Sequence, residues 1–102
     1  MQVSHVIKDG MGTIKAQGRF DFAAHDAFQA ATAKLLDDAT VRQIVMDLSQ
    51  VDYLDSSALG MLMLLNERCD QKGKGQLTLS GAKGLTRRVL DVAKFDHLMK
   101  LV

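Results

Sequence analysis

Asp52, Asp55, Ser56 and Ser57 set two carboxylates beside two hydroxyls, directly ahead of an apolar stretch running from Ala58 to Leu65. A serine in the first turn of a helix meets unpaired backbone N–H groups and the positive end of the helix dipole, which together accommodate a phosphoryl group. Ser56 or Ser57 is therefore a candidate phosphoacceptor. The same residue types also make ordinary caps: an Asp or Ser before an apolar helix accepts a first-turn N–H and contributes roughly 1 kcal/mol. Spacing alone leaves both readings open.

No other constellation competes for chemistry. His5, His25 and His97 are far apart and lack the short spacings of metal ligands, so no metal site is expected. Cys69 falls on the apolar side of a helical stretch, where a buried inert thiol is the default. Leu54-Asp55-Ser56-Ser57-Ala58 lacks both glycines of a hydrolase nucleophile elbow. Gly73-Lys74-Gly75 terminates a helix and does not form a phosphate-binding loop. The expectation is a protein with no catalytic residues and no cofactor.

The chain has 102 residues, 47% apolar and 25% charged, with a net charge of +1 and one cysteine. That length supports one core, so residues 1–102 are expected to form a single domain. Aromatics at 5% and a near-zero balance argue against direct nucleic-acid binding. With no basic start followed by an apolar leader and no disulfide pair, the cytoplasm is the expected compartment. The apolar run 58–65 is too short to insert in a membrane. Charge is nevertheless polarised: residues 1–55 sum to −3, 56–82 to +1 and 83–102 to +3.

The elements that must position the serines follow from periodicity. Val3, His5 and Ile7 and then Ile14, Ala16 and Gly18 mark two strands around Asp9-Gly10, a hairpin signal whose loop length Gly12 leaves open. Ala24, Ala27, Phe28, Ala31 and Leu35 recur at helical spacing between Ala23 and Asp38. Val41 to Leu48 reads as a central strand, Ser49 to Leu54 as a loop, and Asp55 to Gln71 as a capped helix. Gln76–Ser80 is a short strand, Leu85 to Lys94 a helix with Leu85, Val89 and Val92 on one stripe, and Leu98–Val102 a final short strand. This order predicts an α/β fold: a mixed sheet of four to five strands with helices mainly on one side.

On the helix behind the serines, Ala58, Met61, Leu62, Leu65 and Cys69 share the face expected to meet the core. Leu59 and Met63 form an i, i+4 pair turned away from it and are candidates for a docking surface. Lys83, Arg87, Arg88, Lys94 and Lys100 make the last segment basic, read as a solvated helix face.

The run Asp55-Ser56-Ser57-Ala58-Leu59-Gly60, with the strand Ile44–Leu48 before it and Gly18-Arg19-Phe20-Asp21 upstream, resembles the STAS domains of anti-sigma factor antagonists. The element order agrees over almost the whole chain. Ala58 stands where that family's pattern has glycine, and Arg19 where it has an acidic residue. The resemblance implies a STAS fold with Ser56 phosphorylated by a partner anti-sigma factor that is also a serine kinase, and a PP2C-type phosphatase reversing it. It implies Asp21, Asp52, Asp55, Ser57, Leu59 and Met63 as partner-binding residues. A second reading within the resemblance is a structural or regulatory STAS subunit of a lipid or anion transport assembly in the membrane. The hairpin edge or the Leu59/Met63 flank could also pair weakly with a second copy.

Overall fold

The computed structural model describes residues 1–102. Strands β1 (Gln2–Lys8) and β2 (Met11–Phe20) form the hairpin. Lys8 lies opposite Met11, so the loop is Asp9-Gly10 alone, with φ of +52° and +81°. Both central residues at positive φ make the type I′ turn that matches strand twist, and Gly12 belongs to β2. A 3-10 turn at Phe22–Ala24 leads into α1 (His25–Asp37), followed by β3 (Gln43–Leu54), α2 (Ser56–Gln71) and β4 (Thr78–Ser80). After α3 (Gly84–Val92) and a second 3-10 turn at Phe95–His97 comes β5 (Lys100–Leu101).

The sheet has the order β1-β2-β3-β4-β5, antiparallel between β1 and β2 and parallel thereafter. Alternation along β2 buries Gly12, Ile14 and Ala16 and exposes Lys15 and Gln17, so one face carries the core and the other stays polar. The core is one cluster joining Ile14, Phe20, Ile44, Met46 and Leu48 of the sheet to Phe28, Leu35, Leu62, Leu65 and Leu90 of the helices.

Ser49–Leu54 is strand and not the expected loop: β3 continues to Leu54, pairing with β2 to the end. Two register shifts, between Lys15 and Gln17 and between Gly18 and Arg19 of β2, each give β3 an extra residue. Its buried side chains Ile44, Met46, Leu48, Val51 and Leu54 are consequently spaced by two, two, three and three. Each bulge turns the next apolar residue back to the core, and the irregular spacing hides the strand from a period-two reading. Asp47 Oδ1 accepts the Ser49 N–H at 2.9 Å where the first shift begins. Gly81, at φ +75°, passes so close that a Cβ there would lie 2.9 Å from Ser49 Cβ.

α3 is rotated from the expected stripe. Thr86 and Leu90 are its buried residues, whereas Leu85 and Val92 are 72% and 77% exposed. Thr86 Oγ1 donates to the Val51 carbonyl oxygen at 3.2 Å, fixing which side of α3 faces inward. The last two strands are shorter than read. Asn66 explains part of this, because its side-chain oxygen accepts the Leu77 N–H at 2.9 Å while its Nδ2 donates to the Leu98 carbonyl at 3.2 Å. A side chain thus does the pairing that strand neighbours would otherwise do.

Lys74 does more than end a helix. It is buried, and its Nζ donates to the carbonyls of Asp38 at 3.0 Å and Val41 at 2.6 Å. The Asp38 carboxylate accepts both the Thr40 hydroxyl and the Thr40 N–H, which holds its pKa below the usual value. No helix is long and apolar enough to cross a membrane.

Candidate functional site

β2 and β3 run parallel and end together, Phe20 opposite Leu54. The Asp55 N–H donates to the Phe20 carbonyl at 3.4 Å, so the chains leaving both strands start side by side. Each then turns on an aspartate. Asp21 Oδ1 accepts the Ala23 N–H at 3.0 Å and opens the 3-10 turn, while Asp55 Oδ1 accepts the Ala58 N–H at 3.0 Å and opens α2. Both carboxylates lie beyond the carboxyl ends of parallel strands, where open α/β sheets place their sites.

Ser56 is the first residue of α2 and is exposed, whereas Ser57 is half-buried. The capping bond comes from Asp55, so the Ser56 hydroxyl is not needed to start the helix. Asp52 is exposed but belongs to β3, at the second register shift, and not to a loop shared with the serines.

Sequence reasoning missed two features. Arg19 pairs across the sheet with Tyr53, its guanidinium 4.0 Å above the ring, and its Nε lies 3.7 Å from the Asp21 carboxylate. Arg19, named from the sequence only as standing where the family pattern is acidic, is thus a cation with about two-thirds of its side chain exposed, held over Tyr53 at the edge that carries Asp21. The rung Arg19 opposite Tyr53 exists because of the bulge, which no periodicity signalled.

The second is the composition of the exposed side of α2. Ala58, Leu62, Leu65 and Cys69 are buried as expected, and Met61 packs partly against the core. The Leu59/Met63 pair is divided: Leu59 also packs against the core, and only Met63 is exposed. The outward line is Ser56, Gly60, Met63 and Leu64, one helical row from the serine down the helix, with Met63 and Leu64 each close to half exposed. Space around Gly60 is open.

Other candidates stay outside this site. Cys69 is fully buried, and burial pushes its thiol up to about 11, with Lys74 pulling weakly the other way. The histidines lie in separate elements, and no group of three His, Cys, Asp or Glu side chains is placed to hold a metal. The largest hollow, about 450 Å³, opens on the polar sheet face between Ser4, Lys15, Gln17 and Asp47. Its lining includes neither Ser56 nor Asp55.

A five-stranded mixed sheet with a capped Asp-Ser-Ser helix start beyond its central strand defines the class: a STAS-type α/β domain. The family described as Mlab, STAS domain, matches residues 3–102. A STAS-domain containing protein of Pseudomonas aeruginosa is 40% identical over 89 residues, spanning 87% of this chain and 85% of that protein. BtrV of Bordetella bronchiseptica, whose name places it among anti-sigma factor antagonists, is 30% identical over 87 residues, 85% of this chain and 73% of BtrV. The solved structure of the anti-sigma factor antagonist SpoIIAA in its unphosphorylated form superposes with a TM-score of 0.73 at 17% identity, covering 99% of this chain and 86% of that one. Its phosphorylated form, from Bacillus, gives 0.73 at 16%, covering 99% and 91%. The chain belongs to the STAS domain family.

Proposed function

We propose that this domain is an anti-sigma factor antagonist whose affinity for its partner is set by phosphorylation of Ser56. The observation that carries this reading is the exposed Ser56 hydroxyl at the first turn of α2, left free of structural duty by the Asp55 cap. The fold it shares with SpoIIAA, solved with and without phosphate, supports the same reading.

In this reading the unmodified domain docks through the α2 row, with Met63 and Leu64 as apolar contacts, Leu59 supporting them from beneath, and Asp21, Asp52, Asp55 and Ser57 around the serine. The partner is an anti-sigma factor that is also a serine kinase. It transfers the γ-phosphoryl group of ATP to Ser56 Oγ; the γ-phosphorus to β-oxygen bond breaks, ADP leaves, and the hydroxyl proton passes to a base of the kinase. The phosphoserine carries about −1.5 to −2 charges near neutral pH. It would stand beside two carboxylates already committed to caps, so an acidic or apolar partner face is repelled and the sigma factor is recaptured. A PP2C-type phosphatase restores the binding form by hydrolysis. The domain itself performs no catalysis and works in the cytoplasm.

The test is incubation with ATP and the candidate anti-sigma factor kinases of the source genome, followed by mass-spectrometric mapping and titration of binding. Phosphate is expected on Ser56 and not Ser57, Ser56→Ala is expected to bind constitutively, and Ser56→Glu to bind at least tenfold more weakly. Equal binding of the two variants would overturn the switch. Absence of transfer to Ser56 by every kinase tried would favour a transport-assembly subunit.

A further inference from the structure

β1 is the outer strand of the sheet and is seven residues long, without proline or bulge; the opposite edge, β5, has two residues. Because the hairpin closes through a two-residue turn, Lys8 and Met11 exchange both backbone bonds, as do Val6 with Thr13, Ser4 with Lys15 and Gln2 with Gln17. The N–H and C=O groups of Val3, His5 and Ile7 therefore point away from the sheet. A row of unpaired groups of this length is a template for another strand.

We propose that the strand it takes is β1 of a second copy, paired antiparallel about a two-fold axis at His5. The sequence Gln2 to Lys8 is self-complementary in that register. His5 pairs with His5 of the other copy, Val3 with Ile7, Ser4 with Val6 and Gln2 with Lys8. All three outward residues then exchange both backbone bonds, six bonds in a symmetric interface, which is the pattern an isologous dimer requires.

Side chains agree with the register. Val3 and Ile7, one half-buried and the other 39% exposed, meet on the helix-covered face. On the other face Val6, 55% exposed, meets Ser4. Lys8 is the only residue of the strand with a permanent charge, and it meets Gln2, so no such charges oppose each other. α1 packs over β1 and β2, and its side away from α2 carries the exposed alanines Ala27 and Ala30, which leave room for a neighbouring helix. The contact is a single strand edge, well short of the ~1,200 Å² of stable interfaces, so the dimer is concentration-dependent. It also leaves Ser56 outside the contact, at the far end of a different element.

Sedimentation equilibrium of the whole chain up to millimolar concentration tests the pairing. The wild type is expected to move from 11.2 kDa towards twice that mass. His5→Glu and His5→Lys are each expected to remain monomeric, since each sets like charges opposite at the axis, while an equimolar mixture recovers the dimer. His5→Pro, which removes an outward N–H that the hairpin does not use, is expected to be folded and monomeric. A wild type that stays monomeric would overturn the proposal, as would dimers that all three substitutions leave intact.

Discussion

The Asp55 N–H donates to the Phe20 carbonyl, and through that one bond the helix start at Ser56 is held against the turn at Asp21. Two strands, two aspartate caps and the exposed serine are thereby fixed in one frame before any partner arrives.

That frame predicts unequal effects for neighbouring substitutions. Asp55→Ala loses the bond to the Ala58 N–H and is expected to cost about 1 kcal/mol. Ser56→Ala removes an exposed hydroxyl with no capping duty and is expected to stay within about 0.5 kcal/mol of wild type. Urea denaturation of both variants checks this; equal losses would show that the serine, too, supports the helix.

Cys69 gives a pH prediction. Its thiol is raised from an ordinary value of 9.0 to about 11 by burial. Folded protein binds that proton more tightly than the unfolded chain, so no penalty arises below about pH 9 and stability falls as pH rises from there towards 11, by up to roughly 3 kcal/mol. Alkylation at neutral pH should be slow in native protein and fast in urea. Rapid native labelling would contradict the buried thiol.

Lys74→Met should destabilise although it places an apolar side chain in a buried position. The Val41 carbonyl loses its Lys74 donor, and the Asp38 carbonyl keeps only the Val41 N–H, for an expected cost of about 1–3 kcal/mol. Asn66→Leu should behave alike, because the Leu77 N–H loses its acceptor, while the Leu98 carbonyl keeps only the Gln76 amide at 3.3 Å. Thermal unfolding of each variant measures the loss, and an unchanged midpoint in either would remove that side chain from the account.

Gly81→Ala combines a positive φ with a Cβ brought against Ser49, and is expected to cost about 1–3 kcal/mol. In a double-mutant cycle, Ser49→Gly should recover the part due to the Ser49 Cβ and leave the contacts with the Ser49 backbone and the cost of the positive φ. Additive effects would mean that the two residues do not press on each other.

Much of this was legible in the sequence where local pattern and packing agree. The Asp9-Gly10 turn, the alanine-rich α1 and the capped α2 all obey their own periods. β3 beyond Leu48 was not legible, because two bulges turn its apolar residues to spacings of three that match no strand. α3 was misread because its buried face is chosen by Thr86 bonding to Val51, a contact 35 positions distant. In the site, the serines and their flanking aspartates stood out by residue type. Arg19 above Tyr53 did not, because only the shifted register brings them onto one rung. The outward place of Leu64 was hidden for a related reason: which side of a helix that is apolar from Ala58 to Leu65 faces water depends on where the sheet lies.

The Asp55 cap carries a further consequence. A helix whose first turn is tied down by its neighbour's carboxylate can have its leading hydroxyl esterified without unwinding. The address written at Ser56 would then be read by a visiting protein as a change of label on a rigid surface, with the domain keeping the same outline in both states.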